Sequence, residues 1–576
     1  MTGAPSRPPS TFDLAAEFER RLGCPFDPGA AMSLAGGVRA DALGAEPAAA
    51  YEAAWSAGLH EHIVPVAEGG RLASFEEFLG VVRAVSRREP AVSVGLGSTL
   101  LAAMPVWIWG DDEQRRRVAE LVLARAWGTA AISERSAGSD LLATRTRATP
   151  AAGGYVLDGE KWMVGNGRRS SFATVLAASE PSFGLFLLDF AALGGELVRR
   201  LPKIPTHGLR GHDLSGLALS GCRVGPAALL GRRGRGVEML TGMLQFTRTM
   251  VGAVSLGAAD TALRIALRHA RTRVLYGVPA STLPPVRSLL ARGFADLLVA
   301  ECTGLAATRA LDVARQRMPL WSAVAKYVVP AFCVDAVNAC GEVLSARAYV
   351  REGVANDAFQ KVARDIAITP VFEGTQLVQL DTIRAQLADG ALRRGRGATD
   401  AGLPLSLLFR FGEPAPSPAP RDQRPSITYG GTDEVTDFLD DAAGAVADDE
   451  DLAALARRLV TVRDETRETL AAVATRRTPE AYEAARRHCL VHAGACCLHT
   501  WIRRRESLGG LATDRAWLSV ALRRVVERLG LPARPDWAGE DRLVRRLEEL
   551  DDDDRALSLV PLRLAAQYRE SAPAHP

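Results

Sequence analysis

The chain has 576 residues and a mass of 61.4 kDa, more than one hydrophobic core organises, so two to four domains are expected, with 47% apolar residues to fill them. Lysine plus arginine (70) nearly balances aspartate plus glutamate (67), which argues against a global field for nucleic acid or for a membrane surface and places specificity in local sites. Eight cysteines without a Cys-x-x-Cys pair read as buried thiols in a reducing compartment, so the expected location is cytoplasmic.

Residues 1–10, rich in proline and small side chains, read as a frayed tail without the apolar stretch of a secretion signal. No apolar run reaches membrane-spanning length, so no integral membrane association is expected. From Phe12 to Trp127 apolar residues recur at three- and four-residue intervals, as at Phe75, Phe78, Leu79 and Val82, which predicts an N-terminal helical domain over residues 1–130. Between Gly128 and about Val224, short β-branched and aromatic runs (155–157, 173–176, 183–188) alternate with Gly, Asp, Asn and Ser, the pattern of a middle β domain over 131–235. Helical spacing returns in the segments 239–273, 285–317, 321–344 and 377–387, predicting a helical bundle over 236–388. Arg393-Arg394-Gly395-Arg396-Gly397 and the proline-rich run 411–420 read as a linker over 389–431, because repeated proline cannot support a helix. Four amphipathic patterns (452–475, 479–505, 514–529, 540–550) predict a further C-terminal helical domain over 432–576. The fold class is therefore α+β, mostly α.

Within the bundle, Glu373 follows the largely apolar run 366–372 and precedes Gly374 and Thr375. Desolvation by such neighbours raises a carboxyl pKa, and Gly374 lets the backbone turn and a ligand approach closely. Glu373 thus reads either as a base working near neutral pH or as part of a helix C-terminus ending at Gly374. His488, Cys489, His492, Cys496, Cys497 and His499 form the densest His/Cys cluster. Since a metal would need a fourth group to close the site, they read as small buried residues at a helix contact, with no metal expected. His60 and His62 read as structural. Gly95-Leu96-Gly97 lacks the preceding strand and third glycine of a dinucleotide-binding turn.

The strings 58–70 (Gly-Leu-His-Glu-His-Ile-Val-Pro-Val-Ala-Glu-Gly-Gly), Gly110-Asp111-Asp112-Glu113-Gln114, Ser133-Glu134-Arg135-Ser136-Ala137-Gly138-Ser139-Asp140, Gly159-Glu160-Lys161-Trp162-Met163-Val164-Gly165-Asn166-Gly167, Gly208-Leu209-Arg210-Gly211, Arg273-Val274-Leu275-Tyr276-Gly277-Val278-Pro279 and Glu373-Gly374-Thr375 occur in one order along the chain. In that order they resemble the motifs of the acyl-CoA dehydrogenase and acyl-CoA oxidase superfamily of flavoproteins, over about residues 50–388. The residue chemistry suits a flavin. Ser133, Ser139 and backbone N–H groups of a Gly/Ser turn can bond the polar edge of a flavin or a pyrophosphate, Arg273 can neutralise phosphate, and Trp162 and Tyr276 can cover ring faces. The resemblance implies FAD as cofactor, with Ser133, Ser139, Trp162, Met163, Gly165, Arg273, Tyr276, Gly341 and Thr375 as its contacts, Arg273 and Tyr276 reaching the pyrophosphate and adenine of the FAD of a neighbouring subunit. It implies Gly374 and Arg248 at the substrate, Arg248 reading otherwise as a solvated helix arginine.

By the same resemblance Glu373 is the catalytic base of an α,β-dehydrogenation that converts an acyl thioester, carried on CoA or on an acyl carrier protein, to the trans-2-enoyl thioester. Such chemistry belongs to fatty acid metabolism, with an electron-transfer protein as acceptor. The alternatives are an oxidase passing electrons to O₂ and a flavin-free binding or scaffold protein of the same fold. The added C-terminal domain resembles that of very-long-chain dehydrogenases and acyl-CoA oxidases, which implies a homodimer. The chain departs from the family pattern at several places: Met163 stands for the family tryptophan, Gly165 for its threonine and Glu342 for a glycine, and no glutamine occurs in 280–286. The turn Gly231-Arg232-Arg233-Gly234-Arg235-Gly236 replaces family acids with arginines and reads as a solvated loop or as a dock for CoA phosphates or an acidic carrier protein.

Overall fold

In the computed structural model six helices precede the sheet: α1 (Asp13–Leu22), α2 (Leu34–Leu43), α3 (Ala48–Ser56), α4 (Phe75–Ser86), α5 (Pro90–Trp109) and α6 (Asp112–Leu123). The described residues are 10–565 except 181, 194–196, 352, 354, 356, 396–401, 415–423, 430–432 and 474–475. The tail expected at residues 1–9, Arg396, Gly397 and residues 415–420 of the expected linker lie outside them. Local chemistry sets the helix starts. The Ser74 hydroxyl accepts from Glu76 N and Glu77 N at the start of α4, and Asp111 with Gln114 forms a capping box at α6. α5 begins on Pro90, is apolar on all sides and is accordingly buried.

The middle sheet comprises β1 (Gly128–Ala131), β2 (Arg147–Ala151), β3 (Gly154–Gly165), β4 (Phe172–Ser179), β5 (Ser182–Asp189), β6 (Val198–Leu201) and β7 (Leu214–Val224). The order is β1-β4-β2-β3-β7-β6, with β5 paired to β4. The long β3–β7 ladder is antiparallel and breaks register between Leu157 and Gly159 and again between Trp162 and Val164. The second break ejects Met163 from the ladder at φ 57.

Three long helices follow: α7 (Gly236–Thr272), α8 (Pro284–Val313) and α9 (Met318–Leu344), with the hairpin β8 (Val274–Leu275) and β9 (Val278–Pro279) between α7 and α8. Next come α10 (Ala358–Ile366) and α11 (Gln376–Gly395), the short helices α12 (Leu405–Leu408), α13 (Glu434–Asp437) and α14 (Leu439–Gly444), then α15 (Glu450–Val473), α16 (Pro479–Leu508), α17 (Arg515–Arg528) and α18 (Trp537–Asp552). Contrary to the expectation from the sequence, three segments (Pro90–Trp109, Gly236–Thr272 and Arg315–Ala348) are long and apolar enough to cross a membrane. The packed core accounts for that character, since 78%, 100% and 78% of their most apolar windows are buried within the protein.

Buried charge pairs join these layers. Arg87 and Arg88, just past the end of α4, both grip Glu19 of α1. Arg83 reaches Glu301 of α8, which also takes the Ser558 hydroxyl and Leu559 N at 2.7 Å, so the chain after α18 folds back over the bundle. Arg317 pairs with Glu434 at 2.6 Å, and α16, α17 and α18 pack on α8. Burial alone would push the Glu19 carboxyl up, but Arg87 and Arg88 outweigh it and hold it below the ordinary carboxylate value. Replacing Glu19 with Ala removes the carboxylate that two buried guanidinium groups share, so urea unfolding is expected to show a loss of about 3–5 kcal/mol. In the parent the same pairing is fully present above the ordinary carboxylate pKa and is lost as pH falls through the depressed folded value. The destabilisation measured for Glu19→Ala should therefore shrink in acid.

Candidate active site around Glu373

Beyond α10 the chain winds through a series of turns: Thr369 N donates to Ile366 O at 2.9 Å, and Val371 N and Phe372 N to Ile368 O at 2.8 and 3.1 Å. Glu373 then stands at φ 57 and Gly374 at φ 98 before α11 opens with Gln379 N bonded to Thr375 O. Glu373 is thus on a left-handed turn between two helices and not in the last turn of a helix. A side chain in that region costs about 1–3 kcal/mol, which the surrounding bonds must sustain. Gly374 is fixed by space as well as by φ, since a Cβ there would lie 2.4 Å from Gln379 Nε2, which itself donates to Gly374 O at 3.0 Å.

The turn is partly exposed, with Val371 and Leu377 at 49% and 65% of full exposure, yet the Glu373 Oε2 atom is sealed from water without a hydrogen-bond partner. Three groups surround the carboxyl: Thr247 and Arg248 of α7 and Lys326 of α9. Burial raises the Glu373 pKa, and Thr247, Lys326 and Arg248 only partly offset it. The Thr247 hydroxyl favours the ionised form, although neither its Oγ1 nor Oε2 reaches the alignment of a full hydrogen bond. Arg248 is buried, with Nε on Leu244 O at 3.0 Å and Nη1 on Gln379 Oε1 at 3.3 Å, so the solvated reading is excluded. Burial lowers Arg248 to about 10 against the pull of Glu373. Lys326 donates to Thr369 O at 2.7 Å, and burial, opposed by Glu373 and reinforced by Arg248, brings it to about 7. An acid–base group with a raised pKa, one oxygen unpartnered and two cations close by is equipped to take a proton from a bound ligand.

The turn is pinned to the sheet domain. Asp365 accepts from Leu209 N at 2.6 Å, Lys361 bridges Asp365 and Glu89 at 2.6 Å each, and a Cβ on Gly208 would lie 2.1 Å from Arg364 O. Glycine at 208 is what lets α10 dock. At the sheet, Trp162 N donates to Ser133 O at 2.9 Å, joining the loop 133–140 to the bulge at Met163. Glu134 and Lys161, one from each of these segments, form a buried pair at 2.8 Å. Burial raises Glu134, but bonds from Lys161, Thr146 and Arg145 N outweigh it and bring it to about 2, while burial lowers Lys161 to about 8. α5 lies against both halves: Asn166 Nδ2 donates to Gly95 O at 2.7 Å, and Gly97 has nothing within 4 Å of where a Cβ would stand.

Residues 129–222 match the family model described as acyl-CoA dehydrogenase, middle domain, and residues 234–388 match acyl-CoA dehydrogenase, C-terminal domain. These two segments of the chain are similar to the acyl-CoA dehydrogenase family. The chain is 25% identical over 342 residues to a probable acyl-CoA dehydrogenase, FadE25, of Mycobacterium tuberculosis, covering 58% of this chain and 85% of that one. Among solved structures it resembles an acyl-CoA dehydrogenase of Bacillus anthracis complexed with FAD (TM-score 0.64, 17% identity, 88% of this chain and 89% of that one). It also resembles the prolyl acyl carrier protein oxidase AnaB (TM-score 0.56, 20% identity, 60% and 92%). These likenesses bear on the fold. The Bacillus match extends well past residue 388, into the added helices.

The residues that the resemblance places at a flavin fall into two groups. Trp162, Met163 and Gly165 lie toward the end of β3, and Ser133 is joined to them through its carbonyl on Trp162 N; Ser139 is exposed on the adjoining loop, and Trp162 carries the Arg135 guanidinium 5.0 Å above its ring. Thr375 caps the start of α11, with Oγ1 accepting weakly from Val378 N at 3.4 Å. Arg273 and Tyr276 stand on the exposed β8–β9 hairpin, Tyr276 94% exposed, and Gly341 lies against Phe359. Glu342 lines a cavity of about 750 Å³ with Arg292, Asp335 and Arg524, at the seam with α17 and α18. In the basic turn Arg233 donates to Glu180 O at 2.7 Å and Arg235 pairs with Glu238 at 2.5 Å. His488 and His492 meet Asp433 at 3.1 and 3.3 Å, and Trp321 Nε1 donates to the same carboxylate at 3.0 Å. The His/Cys cluster is therefore part of a buried hydrogen-bonded seam between the bundle and α16.

Ser98, His212, Thr247 and Lys326 carry no role in the sequence reading. Lys326 had a signal, a lone charge within the apolar stretch 319–333. At Gly165, where the family has threonine, the missing side chain leaves no vacancy: a Cβ would lie 2.3 Å from Ser98 Oγ and 3.0 Å from His212 Nε2. Burial, with Arg169 and Lys203, keeps the His212 ring down at about 3, hence uncharged. Gly165→Ala should force Ser98 off its bond to Val94 O and lower stability by about 1–3 kcal/mol in urea unfolding, whereas the same change in a Ser98→Gly background should lower it by less than half as much.

Proposed function

We propose that this chain is an FAD-dependent α,β-dehydrogenase of acyl thioesters, with Glu373 as the base that removes the α-proton. The observation that carries the reading is the Glu373 carboxyl, desolvated, held at φ 57 and left with one oxygen unpartnered beside Arg248 and Lys326. A buried acceptor without a donor is costly by about 1–3 kcal/mol, a cost relieved when a ligand fills the site. The residues suit FAD: the segments carrying Ser133, Trp162, Met163 and Gly165 are joined through Trp162 N, and open space stands over Gly97 and Gly138. Ser133, Ser139, Trp162, Met163, Gly165 and Thr375 would hold the ring system, and Arg273, Tyr276 and Gly341 the FAD of a partner in a homodimer. Bound FAD supplies the acceptor for the two electrons that leave the substrate.

The chain supplies the rest. Glu373 takes the α-proton onto its carboxylate, Arg248 and Lys326 favour the ionised form needed for this, and the backbone N–H of Glu373 offers a donor to the thioester carbonyl, which acidifies the α-carbon. One such donor is worth about 2.7–4 kcal/mol in other enzymes. The product would be the trans-2-enoyl thioester, on CoA or on an acyl carrier protein, made in the cytoplasm. A second reading, an oxidase that passes electrons to O₂, is favoured by one observation: Gly165 brings no side-chain hydroxyl to its edge of the site.

Anaerobic addition of an octanoyl thioester should bleach the bound flavin, and Glu373→Gln should slow bleaching by about 10²–10⁴-fold while leaving the flavin bound. Bleaching at the parent rate in that variant would refute the assignment. Because Glu373 is raised from its ordinary value, the rate should climb with pH through that raised pKa, with the protonated carboxyl inactive below it. Stoichiometric peroxide in air separates the oxidase from the dehydrogenase.

A further inference from the structure

Lys326 is a buried cation in the middle of α9, a helix of otherwise apolar character at this level, and it belongs to none of the motifs that define the site. A lysine ammonium has three donors and strong hydration, so its removal from water needs a structural return. Here its one hydrogen bond, 2.7 Å, goes to Thr369 O, the carbonyl four residues before Glu373, and its Nζ lies 5.9 Å from the centre of the Phe372 ring, the residue next to the base. It acts electrostatically on Glu373 without reaching ion-pair contact, and the other cation acting on that carboxyl is Arg248 from α7. The two differ in what they hold. Arg248 is committed to Leu244 O and to Gln379, on the α11 side of the turn, whereas Lys326 is bonded to the segment that leads into it. The turn 367–373 is otherwise stabilised by its own short-range backbone bonds, by the Thr369 hydroxyl on Ile366 O and by the docking of α10, so Lys326 is its tie to the bundle core.

We propose that Lys326 is a positioning residue for the base: its ammonium ties the Thr369 carbonyl to α9, fixing the left-handed turn that presents Glu373, and places a second positive charge beside that carboxylate. The proposal rests on Glu373 being the base. A displacement of about 1 Å at a reacting group costs up to about a hundredfold in rate, and one unit charge a few ångströms away in a partly desolvated site moves a carboxyl pKa by about one unit or more.

The experiment is single-turnover anaerobic flavin reduction by an octanoyl thioester, followed against pH in the parent holoenzyme, Lys326→Met, Lys326→Gln, Lys326→Arg and Glu373→Gln, with flavin content and thermal midpoint recorded for each. In Lys326→Met the maximal rate should fall by about tenfold or more with flavin content unchanged, and the acid limb should move to higher pH by about one unit. Lys326→Arg, which keeps charge and donors, should recover the position of the limb. If the methionine variant does not fold, Lys326→Gln is read by the same limb. An acid limb and maximal rate equal to the parent in the folded, uncharged variant would overturn the proposal, as would a limb in Lys326→Arg displaced as far as in Lys326→Met. Rapid bleaching in Glu373→Gln would instead overturn the assignment of the base, so the two failures are distinguishable.

Discussion

A carboxyl group with one oxygen sealed from water and without a hydrogen-bond partner is the constraint on which the rest of this architecture turns. Desolvation raises the Glu373 pKa, and the left-handed backbone beneath it is unfavourable for most residues other than glycine. Each of these costs is carried by a neighbour with no other evident task. Gly374 and Gln379 close the turn on one side, Thr369 and Lys326 on the other, and Arg248 supplies charge from a helix whose remaining inward residues are mostly apolar. Strain of this kind persists only where the surroundings over-determine it, and the density of specific contacts around residues 365–379 meets that condition.

The same logic extends outward from the turn. The sheet domain and the bundle are joined through glycine and paired charges: Gly208 against Arg364 O, Leu209 N on Asp365, Lys361 between Asp365 and Glu89. The added helices are joined in like fashion through Arg317–Glu434, Asp296–Arg524 and the return of residues 557–559 onto Asp260 and Glu301. Paired buried charges contribute little net stability against a well-packed apolar contact, but breaking one partner is strongly destabilising, so they select one docking geometry over others. For a site assembled from α5, α7, α9, the α10–α11 turn and one edge of a sheet, a single geometry matters more than an extra increment of stability.

Much of this was legible in the sequence. Period and composition disclosed the helix–sheet–helix order and most of the long helices within a few residues of their ends, because helices of this length repeat their apolar spacing many times; α11 runs to Gly395, eight residues past the expected end at 387. The apolar run before Glu373 and the glycine after it disclosed a desolvated carboxyl on a turn. Two features escaped for physical reasons. Membrane-length apolar helices were missed because a large bundle buries helices on all sides, and the runs are interrupted by small and polar residues that local inspection counts as breaks. Ser98 and His212 were missed because their significance lies in contacts between segments tens to hundreds of residues apart, which no local pattern encodes; Lys326 stood out as a lone charge in an apolar stretch, but its partner at Thr369 did not. Glu134 and Lys161 show the converse: they sit inside strings that look chemical and prove to be a buried lock between the loop 133–140 and β3.

The central claim is that the Glu373 carboxylate takes a proton from the carbon next to a thioester carbonyl, and the measurement closest to it is isotope exchange at that carbon. Holoenzyme held anaerobically in D₂O with an acyl thioester whose β-carbon cannot give up hydride should introduce deuterium at the α-position, seen by mass spectrometry, and the Glu373→Gln protein with the same bound flavin should introduce none above the buffer rate. Exchange at equal rates in the two proteins, or its absence from the parent, would contradict the account.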